Sequence, residues 1–207
     1  MGTIKDIHSL TVRTLVRLAS TPEEELEEAR LRDAQRKPGD PLPFPLLYTM
    51  RLKNAGKDVF GGKGLAAAYL RVNTFNEALQ LKARSVIDGF QHIIDANPSI
   101  DFTRKPTPKD CFGIIGGTAL KMSPDSIGTS ETGKPLFMFF HVVDAPRTDE
   151  AVHLLLHAAQ YVADARALDA EVALVDAPRR RLLRLTEEVQ EEVVIAALRD
   201  VLGQIQN

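Results

Sequence analysis

The sequence predicts an α+β fold: a mixed β-sheet of about four to five strands flanked by helices, with an N-terminal helical arm. Three features carry this expectation. Residues 77–96 repeat apolar side chains at the helical period, through Leu79, Ala83, Val86, Ile87, Phe90, Ile93 and Ile94. The run Leu136-Phe137-Met138-Phe139-Phe140 is continuously apolar, as in a central strand covered on both faces. Behind the leading helices, the elements follow as helix, two strands, helix, two strands, helix. The 207 residues are 44% hydrophobic and 26% charged, an ordinary globular composition that needs no disulfide or metal staple.

Taken in order, Ile4–Ala19 reads as a helix, with Ile4, Ile7, Thr11, Leu15 and Leu18 on one stripe. Thr21-Pro22-Glu23-Glu24 opens a second, strongly charged helix with a capping box and a proline at its first position. Asp40-Pro41-Leu42-Pro43-Phe44-Pro45 must be extended, because alternating prolines fix φ and keep the residues before them out of the α region. The expected organisation is thus an arm over 1–39, a connector over 40–45 and one domain over 46–207. Residues 46–54 and 65–71 have helical composition, and Thr74-x-x-Glu77 is a capping box for the helix that Asn97-Pro98 ends. Cys111–Met122 is strand-like, Ser123–Gly133 has hairpin or loop composition, and the apolar strand follows. Thr148 caps a helix reaching about Leu168. Two short strands over 171–176 and 181–185 meet at Ala177-Pro178, and Thr186 caps a last helix.

The single cysteine, Cys111, cannot form an intrachain disulfide, which suits a reducing compartment. The first residues lack a basic stretch followed by an apolar one, and no apolar run is long enough to span a bilayer. A cytoplasmic protein with no membrane role is expected. The net charge of −2 is unevenly distributed: residues 46–121 carry 11 basic and 6 acidic groups, whereas 122–207 carry 8 and 14. A basic middle segment of this kind can meet an anionic partner.

Gly61-Gly62-Lys63-Gly64 is not a Walker loop, because the hydroxyl residue and the preceding strand are missing. Glycines before a helix still expose N–H groups, and Arg51, Lys53, Lys57, Lys63 and Arg71 are the candidate anion- or nucleic-acid-binding residues. His153 and His157 lie four apart on one helix and are candidate metal ligands only if a third ligand joins them. A solvated face is the alternative. No motif calls for a cofactor, and none is expected.

Phe112–Leu185 resembles the core of the PD-(D/E)XK nuclease superfamily, in its RecB-like branch, through its element order and through Ser123-Pro124-Asp125 followed by Gly133-Lys134. The resemblance covers about a third of the chain. It implies a metal-binding carboxylate at Asp125, assisted by Glu77 on the preceding helix. It also expects an acid and a lysine on the next strand, where this chain has Leu136-Phe137-Met138-Phe139-Phe140-His141, and phenylalanine and methionine offer no hard oxygen ligands. The expectation is a scaffold without hydrolysis that binds nucleic acid through its basic middle segment. The alternative is a regulatory module whose charged 21–37 helix and C-terminal helix meet a protein partner or a second copy. An enzyme would be a metal-dependent nuclease or one acting on a small phosphorylated substrate, with Glu77, Asp125 and His141 as the candidate catalytic residues.

Overall fold

The computed structural model describes residues 9–22, 25, 43–103, 111–115, 117–185 and 188–206. A short strand, β1 (Ser9–Thr11), leads directly into α1 (Val12–Ser20), whose first turn is capped by Thr11. The predicted helix therefore starts later than its apolar stripe suggested, because residues 9–11 pair with a distant strand. Most of the charged second helix, and residues 40–42 of the proline stretch, lie outside the described residues.

α2 (Phe44–Phe60) starts with Pro45 in its first turn, where a missing N–H costs no intrahelical bond. It continues through Gly56, which lies against Phe90: a Cβ there would fall 2.4 Å from the ring. Residues 56–60 are thus helix, and residues 61–63 form the turn into α3 (Gly64–Leu70). α4 (Glu77–Ala96) is capped by Asn76, whose side chain accepts from the Leu79 N–H, and not by Thr74. Then come β2 (Phe112–Ile115), β3 (Thr118–Lys121), β4 (Ser126–Thr129), β5 (Pro135–His141), α5 (Asp149–Ala165), β6 (Glu171–Asp176), a 3-10 turn over Ala177–Arg179, β7 (Arg181–Arg184) and α6 (Glu191–Gln206).

The α+β class holds, with the strands divided between two mixed sheets. One has the order β1-β3-β2, with β1 parallel and β2 antiparallel to β3. The other has the order β4-β5-β6-β7, in which only β5 and β6 are parallel, joined by the α5 crossover. β4 lies inside the segment of hairpin or loop composition and pairs antiparallel with β5.

β5 is covered on both faces, as its composition predicts. Leu136, Met138 and Phe140 join a core with α2, α3 and α4, where Phe60 packs edge to face with both Phe90 and Phe140. Phe137 and Phe139 join the other core, built with α1, α5, α6 and the three-stranded sheet. α4 sits so close to the 3-10 turn that a Cβ on Gly89 would lie 1.9 Å from the Ala177 carbonyl oxygen. No helix among the described residues is long and apolar enough to cross a membrane.

Candidate functional site

One end of the four-stranded sheet collects charge. β4 begins, β5 and β6 finish and β7 begins there, so Asp125, His141, Asp176 and Arg181 come to neighbouring strand ends; His141 and Asp176 are register partners, as are Asp176 and Arg181. Two strand spacings separate Asp125 from Asp176, roughly 10 Å. Asp125 is buried at 7% exposure. Its Oδ2 accepts the Phe140 N–H at 2.7 Å, so a side chain continues the β4–β5 ladder where main chain stops.

Helices from both layers reach this carboxylate. Arg13 of α1 donates to Asp125 Oδ2 and lies over the Phe139 ring. Lys53 of α2 places its Nζ 3.4 Å from the same oxygen. Arg147, in the β5–α5 loop, is the third cation: its charge acts on Lys53, and that of Arg13 acts on Arg147. Arg13 and Lys53 thus bring two cations to one carboxylate, and Arg147 adds a third positive charge close enough to act on Lys53. Burial pulls the Lys53 ammonium below the usual lysine range, Asp125 opposes this, and Arg13 adds to it. Burial and then Arg13 lower Arg147 as well, and its buried Nε has no hydrogen-bond partner among the described residues. Such a group has lost water without replacing it, which costs on the order of 1–3 kcal/mol until a ligand or solvent supplies an acceptor.

His141, also buried, directs Nε2 to the Ala145 carbonyl at 2.9 Å; a carbonyl only accepts, so that nitrogen carries the proton. Burial lowers its pKa, with Arg147 and Arg179 acting in the same direction and Asp176 opposing. Asp176 is held by Arg179 and Arg181, each at 3.1 Å.

The predicted site residues divide among several environments. Arg51 bonds Thr74 and lies over Phe75, while Lys63 and Arg71 both bind the buried Asp58. Lys57 is half-buried on α2. Only Lys53 of these five reaches Asp125, and the Gly61–Gly64 turn begins about 12 Å further along the α2 axis. Glu77 is exposed in the first turn of α4, and the side-chain partners of Asp125 among the described residues are Arg13, Lys53 and Phe140. His157 is fully buried rather than solvated: its Nδ1 accepts the Gln190 N–H, and its Nε2 lies 2.8 Å from His153 Nε2. No group of three metal-ligating side chains is found among the described residues.

A divalent metal fits this site poorly, since a single carboxylate beset by cations offers neither the ligand count nor the negative field. The site suits an anion instead. Sequence reasoning missed Arg13 and Arg147, which carry no local motif; Arg184 of the last hairpin binds Glu131 and Glu171. No protein-family model matches the chain, and no curated protein matches it either.

Proposed function

We propose that this protein is a non-catalytic, nuclease-like domain that binds nucleic acid through its phosphate backbone, with Arg13, Lys53 and Arg147 as the anchoring contact. The observation that carries this reading is the excess of cations around Asp125 at the end of the β4–β5 pair. The α5 crossover between the parallel strands β5 and β6 fits the strand–helix–strand part of the order that the nuclease resemblance expects. The antiparallel partner of β5 is β4 and not the Cys111–Met122 strand-like stretch, whose strands lie in the other sheet. Relative to the sequence expectation, the contact narrows from the whole basic segment to Lys53 and adds two arginines from elsewhere in the chain.

The test is a fluorescence-anisotropy titration with labelled single- and double-stranded DNA and RNA across a salt series. Each phosphate neutralised contributes about −0.7 to −0.9 to the slope of log K against log salt, so three contacts give roughly −2 to −3. Lys53→Ala should lower that slope by about one contact. Absence of binding at low salt ends the proposal.

A second reading, a module binding a protein partner or a second copy of itself, draws on exposed apolar side chains. Phe44, Leu46 and Met50 at the start of α2 are 48%, 50% and 41% exposed. Light scattering of the intact protein tests self-association, and a monomer unchanged by Leu46→Glu and Met50→Glu removes it.

A further inference from the structure

Between the first turns of α5 and the β6–β7 strands lies a cleft of about 260 Å³. It sits at the carboxyl ends of the parallel pair β5 and β6, beside the crossover helix, the place where open α/β sheets leave room for ligands. Its walls are of two kinds. Leu156, Leu174 and Leu183 form an apolar side, and Arg147, Arg181 and His141 form a polar one. Asp125 and the Gly61–Gly64 turn do not line it.

Two acids, Asp149 and Asp176, line the cleft, and the second is paired. Asp176 is bound by Arg179 and Arg181, and Asp149 lies in the capped first turn of α5, so the helix end itself is not an attraction for an anion. Arg184 is occupied by Glu131 and Glu171. Arg147 is not: its Nε is buried and has no partner among the described residues. Arg181 uses one terminal nitrogen on Asp176, which leaves further donors of its planar fork. The Nε2–H of His141 is engaged by Ala145, which in the neutral ring leaves Nδ1 to accept a proton if an anion arrives.

We propose that this cleft binds a small phosphomonoester of about nucleotide size, its phosphate held by Arg147 and Arg181 and its organic body against the leucines. A guanidinium fork matches phosphate oxygens two at a time, and exclusion of water by the apolar wall strengthens each contact. The volume is too small for a duplex, so the ligand is either a free mononucleotide or the last nucleotide of a strand. The inference shares Arg147 with the nucleic-acid reading and otherwise stands apart from it, because Lys53 and Asp125 do not line the cleft.

The experiment is calorimetric titration of the full chain with adenosine 5′-monophosphate and with inorganic phosphate, alongside anisotropy with 5′-phosphorylated and 5′-hydroxyl oligonucleotides. Leu183→Trp fills the cleft without touching a charge, and Arg147→Lys keeps the charge but removes the fork. Each should weaken adenosine monophosphate binding by about tenfold or more, while Lys82→Ala, on the exposed face of α4 and in neither site, leaves it unchanged. Preference for the 5′-phosphorylated oligonucleotide, lost in Leu183→Trp, identifies a strand end as the source; binding of the mononucleotide without that preference identifies the free nucleotide. The proposal is overturned if neither the mononucleotide nor phosphate binds at millimolar concentration, or if binding survives both cleft variants. Mononucleotide binding by a protein that binds no oligonucleotide at low salt separates this site from the backbone contact.

Discussion

Asp125→Asn is the most informative single change, because it should lower stability and raise anion affinity together. Asparagine keeps an oxygen to accept the Phe140 N–H but removes the charge that balances Arg13 and Lys53. Breaking a fully buried pair costs about 3–5 kcal/mol. Here the partners are partly solvated, with Arg13 and Lys53 side chains 33% and 21% exposed, so roughly 2–3 kcal/mol is expected. For a chain of this size each kcal/mol moves the midpoint by about 2–4 °C, so a melt followed by circular dichroism should fall by some 4–12 °C. Added phosphate should restore part of the loss, since an external anion takes the place of the internal one. Anisotropy should show tighter oligonucleotide binding with a steeper salt dependence. An unchanged melting temperature, or a phosphate response no larger than that of wild type, would refute the view that Asp125 is the internal counterion of a positive site.

Three further outcomes follow from the packing and the titratable groups. Gly89→Ala should destabilise by about 3 kcal/mol or more, because the added carbon meets a main-chain carbonyl that cannot rotate away; a melt within error of wild type would contradict that approach. His141, with its folded pKa below the unfolded value, takes up its proton first in the unfolded chain. Its contribution is therefore complete above the unfolded value of about 6.5 and declines as pH falls from there toward the folded pKa, so denaturant midpoints should drop across that window and His141→Gln should flatten the slope. All three tyrosines are raised: Tyr69 is pushed up to about 12, chiefly by its hydrogen bond to Asp88, and Tyr48 and Tyr161 move in the same direction, first by burial. Tyrosinate absorbance of the native protein should accordingly show no step at an ordinary tyrosine pKa, and a normal step would contradict these environments.

Signals confined to a few neighbouring residues were legible in the sequence. Thr148 caps α5 as its spacing predicts, Asn97 closes α4, and the apolar run of β5 is covered on both faces. Each depends on contacts within a helical turn or on a side-chain pattern that burial alone explains. Where two neighbours offered the same chemistry, context chose between them: Asn76 caps α4, while Thr74, equally able to cap, receives Arg51 from α2. Ser9–Thr11 and Ser126–Thr129 are too short and too polar to show a period, and they are strands only because β3 and β5 lie beside them. The division into two sheets has the same origin.

The site belongs wholly to this second kind. That Asp125 is acidic and follows a proline is written in the chain, but Arg13 stands 112 residues before it and Lys53 stands 72 before it. No local pattern encodes an ion pair at such separation, since its partners meet only after α1 and α2 have packed on opposite faces of one sheet. His157 reads as a solvated helical residue until α6 closes over it and its N-terminal segment supplies the Gln190 N–H. By itself the sequence determined composition, helix periods and caps, and the buried central strand, because these are set by local sterics and the alternation of apolar side chains. The tertiary structure alone decided which charges face one another, because that depends on how the helices pack around the sheet.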